Sequence, residues 1–166
     1  MISRLYMAIS ANGAVATGQG DTPWGEASWN NFISETNAAG NLIIGRRTYD
    51  EMASRHEFAL LDPGAKVVVV TKSPLKDSTV TAVADPQAAR SAVAKLGFEV
   101  ALWGGGPRLA TSALRSGLLD EIWLDIEPVI LGNGLPLVPA DITAQLKLND
   151  WSMYIGGITL KYGVEK

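Results

Sequence analysis

Four consecutive valines, Val67 to Val70, constrain the fold of this chain more than any other segment. β-Branched side chains lose rotamer freedom in helices and pack well on a pleated surface, so the run predicts a strand. No polar residue alternates with the valines, and both faces of that strand must therefore be covered. We expect a central strand in a sheet that carries helices on each side.

Further short apolar runs, each bounded by turn residues, predict more strands. Helical patterns separate several of these runs, and alternating strands and helices are typical of a three-layer α/β/α domain with a mostly parallel sheet. The predicted strands are Leu5 to Ile9, Asn41 to Ile44, Lys66 to Val70, Thr79 to Val83, Glu99 to Trp103 and Glu121 to Ile126.

Two of the predicted helices have clear start and stop signals. Asp85 and Pro86 fit an N-cap and a first helical residue, and Gly97 ends that helix. Pro107 opens the next helix, which stops at Gly117. An earlier helix, closed near Gly40, has an apolar face formed by Trp29, Phe32 and Ile33.

The C-terminal part of the chain follows a different pattern. Ser152 to Ile155 and Ile158 to Tyr162 alternate in polarity, and Gly156-Gly157 between them is a two-residue hairpin signal. We therefore predict an antiparallel hairpin attached to the mostly parallel sheet, which makes the sheet mixed. Because no linker, repeat or low-complexity segment interrupts the chain, residues 1–166 are predicted to form a single domain.

The composition excludes several classes of site. The chain has no cysteine, which rules out disulfides, thiolate metal sites and a cysteine nucleophile, and a single histidine, His56, rules out a multi-histidine metal centre. The net charge of −3 offers no basic surface for nucleic acid. We therefore expect a small-molecule substrate, with neither a metal nor a nucleic-acid partner.

The N-terminal segment is predicted to form the first strand. Only one basic residue, Arg4, precedes the apolar run, which is too short for the hydrophobic region of a signal peptide. No apolar run approaches the roughly 20 residues that a membrane-spanning helix needs. The sequence predicts a cytoplasmic protein without a membrane partner.

One strand-to-helix turn, Gly45-Arg46-Arg47-Thr48, combines a glycine with two arginines and a hydroxyl. Free N–H groups at a helix N-terminus attract anions, and guanidinium groups add charge-assisted contacts to phosphate. The alternative is a solvated basic first turn. However, cations at a helix N-terminus oppose the helix dipole, which favours a visiting anion.

A second turn, Gly104-Gly105-Gly106, follows a predicted buried strand and precedes the helix that Pro107 opens. Successive glycines allow a ligand to approach the backbone closely. The motif is neither a dinucleotide-binding G-x-G-x-x-G fingerprint nor a Walker loop, and a flexible turn is the alternative. Its place between a strand and a helix favours a ligand.

A third turn, Thr71-Lys72-Ser73, ends the valine strand with two hydroxyls and an ammonium group. Ligands of open α/β sheets collect at the carboxyl ends of strands, where all three turns lie. Arginine, lysine and hydroxyl groups around one edge suit a 2′-phosphate, which favours NADPH over NADH.

In combination these residues resemble the dihydrofolate reductase superfamily, and most closely its riboflavin-biosynthesis reductase branch, the RibD C-terminal domain. The resemblance covers nearly the whole chain. Ser10-Ala11-Asn12-Gly13 is similar to the Ser-x-Asp-Gly turn of that branch, with asparagine in place of aspartate. The other segments that carry it are Trp103 to Leu109, Ser116 to Ile122 and Pro128 to Gly134, with Gly45 to Tyr49 and Pro23-Trp24 shared more widely.

The resemblance implies a homodimeric, NADPH-dependent reductase that transfers a hydride to a C=N-type or carbonyl carbon of a pyrimidine- or pterin-like substrate. It also implies a cis Gly-Gly bond in the glycine turn. It places the substrate beside Trp24, Trp29 and Phe32. It assigns the cofactor to Ala8, Val15, Gly45, Arg46, Arg47, Thr48, Thr71, Lys72, Ser73, Gly104, Gly105, Gly106, Pro107, Arg108 and Leu109.

The chain departs from dihydrofolate reductases at their acidic residue. The helix after Pro23-Trp24 has no carboxylate at the equivalent turn, since Glu26 precedes it and Glu35 follows too late. Strand alternation places Asp125 on one face with Trp123 and Glu127, so Asp125 is our candidate proton donor. The alternative, of equal weight, is that Asp125 is only a carboxylate paired with another group at a strand end.

Three functions follow as alternatives. The first is reduction of a riboflavin-type 5-amino-6-ribosylaminouracil phosphate or a related compound. The second is a true dihydrofolate reductase with a relocated proton donor, and the third is a nucleotide-binding module without catalysis. A phosphorylated substrate would need a second basic cluster, and the sequence offers none beside the arginines assigned to the cofactor.

Overall fold

The computed structural model of the protein describes residues 1–165. The helices are α1 (Glu26–Ala39), α2 (Arg46–Ser54), α3 (Pro86–Lys95) and α4 (Pro107–Arg115), with a 3-10 turn at Glu57–Leu60. The strands are β1 (Ile2–Ser10), β2 (Ala14–Ala16), β3 (Asn41–Gly45), β4 (Lys66–Val70), β5 (Thr81–Val83), β6 (Val100–Trp103), β7 (Glu121–Glu127), β8 (Leu135–Pro136), β9 (Leu146–Tyr154) and β10 (Gly157–Val164).

Eight strands within residues 1–165 form one mixed sheet in the order β5-β4-β3-β6-β1-β7-β10-β9. The pairs from β5 to β7 are parallel, and β10 runs antiparallel to both β7 and β9. Strands β2 and β8 form a separate antiparallel pair. The predicted mostly parallel sheet with a C-terminal antiparallel hairpin is confirmed.

Helices cover both faces of the sheet. A first core lies on the side of α3 and α4, where Val93 and Ala113 pack under Trp103 of β6. A second core lies on the side of α1 and α2, where Phe32 and Met52 pack. The Asp85 carboxylate caps α3, as predicted, because it accepts a 2.8 Å hydrogen bond from the amide of Ala88.

The valine strand β4 is covered on both faces, as expected, but it is not central. Val68 enters the first core and Val69 the second, yet only the short strand β5 separates β4 from the sheet edge. Strand β5 begins at Thr81, two residues later than predicted, because the Asp77 carboxylate binds the amide and hydroxyl of Thr79 at 2.8 and 2.6 Å. That local turn competes with strand pairing.

The hairpin turn lies one residue earlier than predicted. Its two turn residues are Ile155 and Gly156, and Gly156 has a φ of 93°. Gly157 already pairs with Tyr154, and a Cβ at position 157 would overlap the Tyr154 ring and hydroxyl. The two glycines therefore meet different requirements. Gly156 adopts a positive φ, and Gly157 allows the close contact with the Tyr154 side chain.

Candidate active site

The three predicted phosphate-binding turns meet at one edge of the sheet. They follow β4, β3 and β6, which are adjacent strands, so their carboxyl ends lie side by side. A backbone hydrogen bond joins two of these segments at this edge, because the Gly104 amide donates a 2.9 Å hydrogen bond to the Ile43 carbonyl. Residues as distant along the chain as Gly45 and Gly106 thus share one surface, as the turn positions predicted.

Two helices start at this edge without a side-chain cap. Gly45 is the N-cap residue of α2 and Gly106 that of α4, and neither helix has a capping side chain. A Cβ placed on either glycine would meet no atom within 4 Å. Free N–H groups in open space at two helix N-termini fit an anion such as a pyrophosphate.

The two arginines of the first turn are held by exposed ion pairs, and Arg46 also donates a 3.4 Å hydrogen bond to the Pro74 carbonyl. The Arg46 Nε lies 2.9 Å from Asp50 Oδ1, and the Arg47 Nε lies 2.9 Å from Glu51 Oε1, each one helical turn away. The Arg47 guanidinium also approaches Gly20 in the segment between β2 and α1. Exposed pairs of this kind contribute about 0.3–0.5 kcal/mol, so an anionic ligand can displace them.

The glycine turn is packed against both neighbouring elements. Gly105 has a φ of 100°, and a Cβ there would lie 2.7 Å from Thr48 Oγ1. A Cβ on Gly104 would lie 2.8 Å from the Phe32 ring of α1. The expected cis bond is wrong, because no peptide bond within residues 1–165 is cis. The positive φ of Gly105 provides the sharp change of direction instead.

The remaining predicted cofactor residues differ in accessibility. Lys72 and Arg108 are exposed, and the Thr71 hydroxyl accepts a 3.1 Å hydrogen bond from the Ser73 amide. The side chains of Val15 and Leu109, by contrast, lie buried in the first core. A ligand at this edge can therefore reach those two residues mainly through their backbone.

Asp125 lies fully buried at the register position beside Ala8 of β1. Its Oδ2 accepts hydrogen bonds from the Tyr6 hydroxyl at 2.9 Å and the Asn31 amide at 3.2 Å, and its Oδ1 accepts one from the Thr159 hydroxyl at 2.5 Å. Burial raises the pKa of the Asp125 carboxyl, and these three donors partly oppose that rise. No cation neutralises the carboxylate within hydrogen-bond distance among its described partners.

Glu127 is a second buried carboxylate on the same face of β7. It accepts 2.7 Å and 2.8 Å hydrogen bonds from the Tyr154 hydroxyl and from the amide of Gly25, the N-cap residue of α1. Burial, and then the hydrogen bond to Glu127, raises the pKa of Tyr154. Glu127 thus ties the start of α1 to the hairpin.

A groove of about 150 Å³ opens between α1 and the hairpin β9-β10. All three donors to Asp125 line this groove. Burial, followed by the charge of Asp125, raises the pKa of the Tyr6 hydroxyl. The other lining residues are Ser34, Glu35, Trp123, Ser152, Met153, Tyr154 and Lys161.

Phe32, one of the aromatic residues predicted at the substrate, lies beside Tyr6, which lines this groove. The rings of Trp29 and Phe32 are 5.5 Å apart between centroids, and Phe32 lies 6.3 Å from Tyr6. Trp24 is half-buried in the segment before α1. The structure therefore brings Trp29 and Phe32 together next to Tyr6, while the groove wall is formed by more polar residues.

Sequence reasoning identified Asp125 but missed its partners. Strand alternation predicts Trp123, Asp125 and Glu127 on one face of β7, and the structure agrees, because Ile122 and Leu124 enter the first core while Trp123 packs against the second. Tyr6 stands in an apolar run and Asn31 in a polar helix segment, so neither carried a distinct signal. A tyrosine within an otherwise aliphatic strand is the one clue that was available.

Residues 1–165 contain no group of histidine or acidic residues arranged to hold a metal ion. No helix in that range is both long and apolar enough to cross a membrane.

Comparisons with known proteins agree with this architecture. A family model described as the RibD C-terminal domain matches residues 4–160. An uncharacterized protein of Bacillus subtilis, YwjB, is 28% identical over 153 residues, which is 87% of this chain and 86% of that protein.

Two solved structures share the fold. A putative riboflavin biosynthesis protein from Shewanella sp. PV-4 superposes with a TM-score of 0.78 at 20% identity, over 100% of both chains. A dihydrofolate reductase from Enterococcus faecalis, complexed with NADP(H) and RAB-propyl, gives a TM-score of 0.72 at 16% identity over 99% and 97% of the two chains. The three-layer architecture is thus of the dihydrofolate reductase type.

Proposed function

The chain belongs to the RibD C-terminal domain family, a family of reductases, and we propose that it is an NADPH-dependent reductase of a pyrimidine- or pterin-type substrate. One observation carries this proposal. The turns after β4, β3 and β6 form a continuous anion-accepting edge, and the buried Asp125 lies two strands further along the same sheet. A cofactor along that edge would end beside Ala8, the register partner of Asp125.

The residues of this edge fit the phosphate groups of NADPH. The uncapped N-termini of α2 and α4 would hold the pyrophosphate, and Arg46, Arg47 and Lys72 would hold the 2′-phosphate. NADPH, when bound, supplies the hydride. The same turns offer no acidic residue positioned for the free 2′-hydroxyl of NADH among their own side chains, which favours the phosphorylated cofactor.

Asp125 is proposed to provide the proton that balances the hydride. A substrate that gains a hydride at carbon also needs a proton at the adjacent heteroatom, and a carboxyl whose pKa is raised by burial can carry one. Asp125 does not line the groove itself. For a proton to reach a substrate in the groove, the Tyr6 or Thr159 hydroxyl, each of which contacts both Asp125 and the groove, would accept the proton of Asp125 and donate its own proton to the substrate.

The substrate distinguishes the two catalytic alternatives. A riboflavin-type reductase would reduce 5-amino-6-ribosylaminouracil phosphate or a related pyrimidine. A true dihydrofolate reductase with a relocated proton donor is favoured by the fold, but α1 offers no carboxylate near Asp125, where Asn31 stands instead. The third alternative, a nucleotide-binding module, predicts cofactor binding without turnover.

Two measurements test this proposal. Tryptophan fluorescence titration should give tighter binding of NADPH than of NADH, and equal or absent binding would contradict the assignment of the edge. NADPH oxidation with the ribosylaminouracil compounds and with dihydrofolate then separates the alternatives. Binding of NADPH without oxidation by any of these compounds would leave only the non-catalytic alternative.

A further inference from the structure

We propose that the groove between α1 and the β9-β10 hairpin takes a substrate without a phosphate group, a neutral or cationic nitrogen heterocycle. This inference rests on the proposed reductase function and narrows its substrate class. It depends on which partner each charged side chain at or near the groove already has. In the described chain these side chains are two cations and five carboxylates.

Lys161 is the one cation among the described residues that line the groove. Its ammonium lies 3.2 Å from Asp150 Oδ2 and 4.6 Å from the centroid of the Trp123 ring. The hydrogen bond from Lys161 lowers the pKa of Asp150, so that carboxylate remains charged and the pair stays neutral. The Lys161 side chain is only 24% exposed, against 41% and 70% for Arg46 and Arg47, so a phosphate reaches this ammonium less readily and must also compete with Asp150.

Arg4 does not line the groove, but it pairs with Glu35, which does, and it is also occupied. Its Nε lies 2.8 Å from Glu121 Oε2, and its Nη1 lies 3.6 Å from Oε2 of Glu35, which lines the groove. Its guanidinium carbon lies 3.6 Å above the Trp123 ring. Two carboxylates and an aromatic face therefore surround this guanidinium, and its side chain is only 15% exposed.

Asp125 and Glu127 receive hydrogen bonds from neutral groups. The donors to Asp125 are two hydroxyls and an amide, and those to Glu127 are the Tyr154 hydroxyl and a backbone N–H. Neither carboxyl has an ion pair in the part of the chain that the structure describes. The excess of negative charge at the groove comes from Glu35 and Glu121, two carboxylates that share one cation, Arg4.

A phosphate ester carries between one and two negative charges at neutral pH, and each repulsive charge pair at partly shielded distances of about 7 Å weakens binding roughly threefold to tenfold. A neutral heterocycle meets no such penalty. Its N–H and amino groups would instead find acceptors in the carboxylate of Glu35 and in the hydroxyls of Ser34, Ser152 and Tyr154, all of which line the groove.

A matched pair of probes tests this inference. The compounds are 5-amino-6-ribosylaminouracil and its 5′-phosphate, which differ by the phosphate alone, with 7,8-dihydropterin as a second neutral heterocycle. Binding is measured by equilibrium dialysis to the full chain, with and without NADP⁺, so that the readout does not require turnover. We expect the unphosphorylated pyrimidine or the pterin to bind at least tenfold more tightly than the phosphate ester.

Equal or tighter binding of the phosphate ester would overturn the inference, as would binding of none of the three probes. Failure of the proposed reductase function would be seen in different measurements, as absent NADPH binding or absent NADPH oxidation. A selective groove in a chain that does not oxidise NADPH would thus leave this inference standing while removing the function.

Two variants test whether charge is the cause. Glu35→Gln removes one of the two carboxylates paired with Arg4, and Asp150→Asn releases Lys161, so each should raise the relative affinity for the phosphate ester about threefold or more. Asp141→Asn is the matched control, because Asp141 pairs with exposed Arg115 on α4, which packs on the opposite face of the sheet. Circular dichroism verifies folding of all three. An unchanged ratio in both groove variants, or an equal change in the control, would contradict the inference.

Discussion

The Tyr6 hydroxyl donates a 2.9 Å hydrogen bond to the carboxylate of Asp125 across adjacent parallel strands, and both side chains are buried. Because Tyr6 also lines the groove, this contact connects the buried acid to the space in which a substrate can lie.

Replacing Tyr6 by phenylalanine should therefore slow turnover without weakening cofactor binding. The loss of one positioned proton-transfer group lowers kcat by about 10²-fold. The hydrogen bond from Tyr6 lowers the pKa of Asp125, so its removal raises that pKa further and moves the corresponding limb of the pH–rate profile to higher pH. Steady-state kinetics across pH measures both effects. An unchanged pH profile would mean that Tyr6 serves packing alone.

Asp125→Asn should abolish most turnover and change the pH dependence of stability. Burial holds the pKa of Asp125 above its unfolded value of about 3.9, so the native state binds the proton more tightly. The native protein then loses stability as pH rises from that unfolded value through the raised native one. The variant should lack this loss, which thermal unfolding between pH 4 and pH 8 measures. Asp141→Asn, at an exposed pair, should retain the wild-type slope.

Arg47→Ala should weaken NADPH binding about tenfold or more and leave NADH binding unchanged, because a charge-assisted contact to the 2′-phosphate would be lost. Arg55→Ala is a matched control, since Arg55 is a similarly exposed arginine at the other end of α2, paired with Glu57. Fluorescence titration with both cofactors gives the ratio. Equal weakening of NADPH and NADH would assign Arg47 to the pyrophosphate instead.

Gly105→Ala should destabilise the protein by about 1–3 kcal/mol, because the residue has a positive φ and its Cβ would press on Thr48. Gly64→Ala is the control, because φ at position 64 is not positive and a Cβ there meets nothing within 4 Å. Urea unfolding measures the difference. Adding Thr48→Ala to the Gly105→Ala variant should restore only the part of the unfolding free energy that was lost to the steric contact. Full recovery of the unfolding free energy would argue against strain from the positive φ.

The homodimer implied by the resemblance has a candidate surface on β9. Trp151 and Met153 are 57% and 78% exposed, and they pair with Leu160 and Ile158 of β10. Leu146 and Leu148 extend the same apolar row along this edge strand. Trp151→Lys should convert a dimer to a monomer, as measured by light scattering after gel filtration. A wild-type protein that is monomeric at all accessible concentrations would contradict the expectation.

The sequence predicted most of the elements because their signals are local. The valine run, the Asp85-Pro86 helix start and the turn positions each depend on neighbouring residues, and the structure confirms them. The position of β4 near an edge was not predictable, because strand order depends on which strands pair across the sheet. The sequence also failed to predict that β9 begins at Leu146. Polar residues separate Leu146, Leu148 and Trp151, and the pairing irregularity near Lys161 interrupts the alternation of polar and apolar side chains.

The sequence by itself determined the fold class, the order of elements and the positions of the three candidate phosphate-binding turns, because chain geometry and strand periodicity place each turn at a strand end. Only the tertiary structure decided what surrounds Asp125. Its donors lie 119, 94 and 34 residues away along the chain, and strand register and helix packing bring them to one carboxylate. Hydrogen bonding and burial, which set the protonation of that group, are properties of those distant contacts and leave no mark on local sequence.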